Sequence, residues 1–413
     1  MRMDGAPARK LPNPAPVPTR RPQTGTAGQS TVLRKVKKRL KWFSVRRGMD
    51  MTFLFLVLVL LIIGLIMMFS ASYPSSYEET GKSLAYLQRQ ALYAVIGLAA
   101  MTFFSYFDYH HLHTFAVFVL IVAIGALVYV LVVPSNGVKR WISVGSSFTI
   151  QASEIAKFAV VLFLAHWGSL HFKKMDTFRY GVLVPALLMG LVGFLLLEEP
   201  HYSGIVIIGA LVLLMMFISG VKMRYFIIIF AVIAVAVLGL AVTGNLGYAM
   251  TRLDGWGQAL IYTDDDLWQT TYQTRNSLYA IGSGGFWGLG LGQSRQKYLY
   301  IPEVQNDFVF AVVCEELGFI GAAIILCLFA LLVWRGITIS MRAQDKFGSL
   351  LGIGLSAQIG LQVILNIMVI TDWLPNTGIS LPFFSFGGSS LIMLLAQMGI
   401  ILSISRTSNL EKA

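Results

Sequence analysis

Ten apolar runs, each 17 to 27 residues long, follow one another between residues 51 and 405. They lie near 51–72, 86–106, 113–133, 153–170, 181–198, 203–219, 224–242, 308–334, 348–370 and 387–405. Each is long enough to cross about 30 Å of hydrocarbon as a helix. In lipid the backbone N–H and C=O groups must be satisfied within the protein, which a helix does along its own length. The expected fold is therefore an all-α polytopic membrane protein with about ten transmembrane helices. The chain is 56% hydrophobic and 13% charged, more apolar surface than a soluble domain of this size hides. No long polar stretch follows the apolar region, so a soluble catalytic domain is not expected, and any chemistry must come from the helices and their loops.

The net charge of +12 suggests nucleic acid until its distribution is considered. Residues 1–50 hold 13 of the 32 Lys and Arg residues. Up to about Ser30 this segment is rich in Pro, Ala, Gly and Thr and lacks the apolar content to fold. A basic run from Arg34 to Arg47 then precedes the first apolar helix, the pattern of a polybasic segment on an anionic inner leaflet. It does not read as a cleavable signal peptide, and no nucleic-acid partner is expected. With the N-terminus inside, 23 Lys and Arg fall on the inner side and 7 on the outer side. The positive-inside rule thus puts both termini in the cytoplasm. The expected organisation is a disordered basic tail at 1–50, a ten-helix membrane domain at 51–405 and a short cytoplasmic tail at 406–413. Within the domain, a large extracellular loop at about 243–306 joins helices 7 and 8. A loop that long is usually functional. Cys314 and Cys327 lie in one apolar run and read as small buried hydrophobes, not as a disulfide or metal framework.

Ionisable groups inside hydrocarbon are costly, so each is a functional candidate. Here they are Arg89, Glu154, Lys157, Glu198, Glu199, Asp307, Glu315 and Glu316, several near the outer ends of their helices. Glu154 and Lys157 are three residues apart and share a helix face. They make either a local ion pair behind a Ser153 cap or the wall of an outward-facing polar cavity. Asp307 opens the eighth span, as a helix N-cap, as a general base in an outer cleft, or as both. Glu315 and Glu316 project about 100° apart, which favours structural roles over an acid/base pair. The stretch Gly282–Gly292 lacks the Lys-Ser/Thr ending and the preceding strand of a phosphate loop. It reads instead as a re-entrant or interfacial hairpin whose glycines allow close packing. Arg295 and Lys297 follow it, either as solvated cations or as contacts for a lipid phosphate.

Several runs resemble the shape, elongation, division and sporulation (SEDS) family. They are Tyr279–Lys297, Pro302-Glu-Val-Gln-Asn-Asp-Phe-Val-Phe310, Glu315-Glu-Leu-Gly318 and Pro382-Phe-Phe-Ser-Phe-Gly-Gly-Ser-Ser390. Lys139-Arg-Trp-Ile142 and Gln151-Ala-Ser-Glu-Ile-Ala-Lys157 match an earlier outer loop of that family. The likeness spans about 50–405 and is strongest to the FtsW and SpoVE branch, weaker to RodA. It implies a peptidoglycan glycosyltransferase that polymerises lipid II at the outer face of the bacterial cytoplasmic membrane, at the septum. It puts the family's essential acidic residue at Asp307, as the base that deprotonates the acceptor hydroxyl. Attack on the donor would invert the anomeric carbon and release undecaprenyl pyrophosphate. Arg140, Lys157, Arg295 and Lys297 are then the candidate pyrophosphate-binding cations, with Glu154 beside Lys157. A divalent cation (Mg or Mn) is a further candidate for that charge, and no other cofactor is expected. The implied partners are a class B penicillin-binding protein acting as transpeptidase and other division or sporulation proteins.

The chain departs from the family pattern at His201, where Asp is usual, at Gln305-Asn306, where His-Thr is usual, and at Ala152, often Pro. Two other functions stay open on the residues: a lipid II flippase, and a non-catalytic scaffold that recruits the transpeptidase.

Overall fold

The computed structural model describes residues 48–133, 140–144, 148–242, 256–260 and 265–408, all within one compact unit. The expected N-terminal tail, Lys139, parts of the long loop and the last five residues lie outside the described residues. The fold is all but wholly helical. In chain order the elements are α1 (Met51–Thr80), α2 (Ala85–Tyr106), α3 (His110–Val132), a two-stranded hairpin of β1 (Trp141–Val144) and β2 (Phe148–Gln151), α4 (Ala152–Leu170), α5 (Val184–Glu198), α6 (Tyr202–Ile218) and α7 (Met223–Val242). They continue with α8 (Asp265–Gly284), α9 (Val309–Met341), α10 (Lys346–Ile370) and α11 (Gly388–Thr407). A π-helical turn, Phe178–Leu183, leads into α5.

A helix covers each of the ten apolar runs. Among the described residues, seven helical segments are long and apolar enough to cross a membrane, and α6 is a shorter apolar helix. Two elements were not legible in the apolar pattern: the β1–β2 hairpin between α3 and α4, and α8 in the long loop after α7. Trp141 pairs with Gln151 and Val144 with Phe148 in the antiparallel hairpin. α1 and α9, at 30 and 33 residues, outlast the hydrocarbon that about 20 residues cross.

Helix packing in lipid relies on close approach of backbones rather than on apolar burial. The most extensive contact joins α2 to α11. There a Cβ at Gly399 would strike the Met101 backbone, and one at Gly97 would sit 2.5 Å from Leu395. At the other end of the bundle Asp50 caps α1, accepting from the Phe53 N–H at 2.9 Å, and pairs with Arg335 of α9 at 2.8 Å. Asp345 caps α10, accepting from the Gly348 N–H at 3.0 Å.

The glycine-rich segment after α8 lies against α9 backbone to backbone. Leu289 and Gly290 N–H groups donate to the Glu315 and Glu316 carbonyls at 2.9 and 3.0 Å, and Phe319 N–H donates back to Gly285 at 2.9 Å. Gly318 has φ +66° and breaks the helical path of α9, and a Cβ there would meet the Gly288 backbone. Both acidic side chains serve this junction. Glu315 accepts from the Ser294 hydroxyl and from the Arg295 N–H at 3.0 Å. Glu316 accepts from Ser70 of α1 at 2.7 Å and from the Lys297 ammonium at 2.9 Å. Both are therefore structural. The cysteines are unpaired, and Cys327 is exposed on α9 instead of being buried.

Candidate active site

A cavity of about 540 Å³ opens where the hairpin, four helix N-termini and the α10–α11 loop converge. α2 contributes Arg89 and Tyr93, and the hairpin contributes Arg140, Trp141, Thr149 and Gln151. α4 adds Glu154 and Lys157, the start of α6 adds His201, Ser203 and Gly204, and Asn306 and Asp307 precede α9. Gly378–Ser380 and the start of α11 close the ring. No side chain caps the N-termini of α4, α6, α9 or α11. Helix N-termini carry partial positive charge and outward N–H groups, so their convergence suits an anion.

Asp307 sits half-buried in this cavity. It is not the cap of α9: that position is Phe308, and the helix begins one residue later than a cap at 307 would require. Its main chain is held from α10, where the Asn366 side-chain amide donates to the Asp307 carbonyl at 2.8 Å. A second tie joins the Phe386 N–H to the Gln305 carbonyl at 2.8 Å. Gly378, at φ +71°, presses close: a Cβ there would lie 3.0 Å from Asp307 Oδ2. Gly378→Ala is accordingly expected to cost about 1–2 kcal/mol in left-handed strain and to lower turnover by displacing the carboxylate. Gly81→Ala is the control, with the same kind of strain (φ +67°) but open space around it. Thermal melting should show similar losses for the two variants, while turnover falls only for Gly378→Ala.

Three cations line the cavity together with Asp307: Arg89, Arg140 and Lys157. Lys157 donates to Glu154 at 2.7 Å in a buried ion pair. The pair also lines the cavity. Ser153 does not cap α4, however: the N-cap is Gln151 and the buried Ser153 hydroxyl has no partner. Arg140 is held against the α5–α6 turn by the carbonyls of Glu199, at 3.3 Å, and Pro200. Glu199 is 1% exposed with neither carboxylate oxygen bonded. Burial pushes its pKa up to about 7, against the pull of Arg140. Burial, with Arg140 and Lys157 nearby, pushes His201 down to about 3, so a neutral imidazole stands at this position. With three cations against Asp307 and Glu154, the lining keeps one net positive charge.

Arg295 and Lys297 are not brought to the cavity. Arg295 is exposed beyond it. Lys297 is 3% exposed and committed to Glu316, Ser70 and the Gly292 carbonyl, because an ammonium buried among helices needs a carboxylate partner. The structure instead adds Arg89, whose charge within an apolar run was the one signal for it. Among the described residues no group of three or more His, Cys, Asp or Glu is arranged to hold a metal. The cavity lining offers two carboxylates, Asp307 and Glu154, of which Glu154 is paired with Lys157.

The family model for cell cycle proteins of the FtsW, RodA and SpoVE type matches residues 51–410. Stage V sporulation protein E of Bacillus subtilis (strain 168) is 39% identical over 365 residues, covering 87% of this chain and 97% of that protein. A probable peptidoglycan glycosyltransferase FtsW of Thioalkalivibrio sulfidiphilus (strain HL-EbGR7) is 36% identical over 357 residues, covering 85% of this chain and 88% of the relative. Among solved structures, a chain from a peptidoglycan synthase complex that coordinates polymerization and crosslinking superposes with a TM-score of 0.68 at 25% identity. That superposition covers 87% of this chain and 98% of the other.

Proposed function

We propose that this chain, which belongs to the FtsW, RodA and SpoVE family of cell cycle proteins, is a peptidoglycan glycosyltransferase that polymerises lipid II. The observation that carries the reading is one cavity lined by the half-buried Asp307 together with Arg89, Arg140 and Lys157. Names given to its relatives agree with it.

A sugar hydroxyl is a poor nucleophile until its proton is removed. Asp307 takes the proton from the acceptor's 4-hydroxyl as that oxygen bonds to the donor's anomeric carbon. The bond from that carbon to phosphate breaks with inversion, and its electron pair leaves on undecaprenyl pyrophosphate. Arg89, Arg140 and Lys157, with the N-termini of α4, α6 and α11, stabilise the charge that develops there. Glu154 fixes Lys157 in place. Neutral His201 offers a hydrogen bond without adding to the charge. Outward placement of the cavity follows from the excess of Lys and Arg on the opposite side. The chain then works at the outer face of the cytoplasmic membrane, at the septum, beside a class B penicillin-binding protein. Likeness to both FtsW and a sporulation protein supports a place in division or sporulation.

Purified protein is expected to convert lipid II into glycan strands resolvable on a gel, with synthesis increased when the transpeptidase is bound. No strands from folded protein, with or without that partner, would overturn the assignment and leave a flippase or a scaffold.

A further inference from the structure

We propose that Asn366, on α10, is a positioning residue that sets the Asp307 carboxylate by joining its main chain to the α10–α11 loop. The proposal rests on Asp307 as the base. Asn366 is fully buried, and its Nδ2 donates to two carbonyls from different segments: Asp307 at 2.8 Å and Ile379 at 2.6 Å. Those two acceptors fix the orientation of the amide, since a flipped group would turn its oxygen against both carbonyls. The other end of the side chain is unsatisfied: Oδ1 is buried with no partner. An orphaned buried acceptor costs free energy that an apolar residue of this size would avoid. What the amide supplies in exchange is the bridge. Ile379 follows Gly378, where an added Cβ would lie 3.0 Å from Asp307 Oδ2, and both residues line the cavity. One side chain thus fixes the backbone of the base and the wall its carboxylate rests on.

Asn366→Leu, which removes both donors, is expected to lower kcat by about 100-fold, the size of loss that misplacement by about 1 Å produces. KM for lipid II should stay within about twofold. Asn366→Ser, which keeps one donor, should lose about tenfold and serves if the leucine variant fails to fold, as judged by thermal melting. Added to Asp307→Asn, either change should cost nothing further, because a residue that acts through Asp307 has nothing left to act on. Unchanged kcat in both variants, a loss carried by KM, or losses that multiply with that of an inactive Asp307→Asn would overturn the role of Asn366 and leave the base assignment standing. Full activity in Asp307→Asn alone would overturn both.

Discussion

Asp307→Asn is expected to lower lipid II polymerisation by about 10³-fold, within the range general-base catalysis supplies, with little change in thermal stability. The substitution is isosteric and leaves the Asn366 bond intact, because that bond is made to the Asp307 carbonyl and not to its side chain. It also leaves α9 as it is, since the cap position is Phe308. What it removes is the lining carboxylate not engaged with Lys157: an amide cannot take a proton from a sugar hydroxyl at neutral pH. The other lining carboxylate, Glu154, is bonded to Lys157 and does not replace it. The measurement is single-turnover strand synthesis by folded wild-type and variant protein at saturating lipid II. Equal rates would remove Asp307 from the chemistry. A loss in KM with kcat intact would make it a binding group instead.

Why Asp307 stands out in the sequence as a candidate, while its surroundings do not, has a physical basis. A carboxylate at the edge of an apolar run is too costly to be incidental, so Asp307, Glu154, Lys157 and Arg89 all announce themselves by charge. The ten helices announce themselves by length in the same way. Geometry between segments carries no such signal. Asn366 and Asp307 are 59 residues apart and meet only because α9 and α10 pack together. Nothing in the residues around Asn366 marks it out from Gln358 or Gln362 on the same helix. The convergence of four uncapped helix starts on one cavity is likewise a property of the assembled bundle. The β1–β2 hairpin was missed because its two strands are four residues each, too short for an alternating pattern to stand out.

Two of the cations expected at the site lie elsewhere in the structure. Arg295 and Lys297 follow a glycine-rich stretch in the long loop before α9, and both are of a type that binds phosphate. Sequence spacing does not distinguish a cation facing an anionic substrate from one facing a buried carboxylate. Glu316 lies 19 residues beyond Lys297, on a helix that the glycine-rich segment approaches closely enough for backbone hydrogen bonds. Glycines Gly284, Gly288 and Gly318 permit that approach, and Lys297 with Glu316 then locks it from the side-chain level. Glu316 in turn holds α1 through Ser70, so three separate stretches of chain meet at one ion pair.

Lys297→Met tests that structural assignment, and it should be the most destabilising of the single substitutions considered. The pair is separated by 2.9 Å, with side chains 3% and 0% exposed. Removing one partner from such a pair costs about 3–5 kcal/mol, because the other charge stays buried without compensation. The Ser70 hydroxyl and the Ser294 N–H would remain as donors to Glu316, but neither supplies a charge. A large fall in the melting temperature of the detergent-solubilised protein is therefore expected. The fraction that stays folded should keep a near-normal KM for lipid II. Lys297→Met combined with Glu316→Gln should recover part of the loss, since the uncompensated carboxylate is gone. A pyrophosphate-binding lysine would behave in the opposite way, with normal melting, a raised KM or lowered kcat, and no recovery from a change at Glu316. That result would return Lys297 to the substrate and require the glycine-rich segment to open during the reaction.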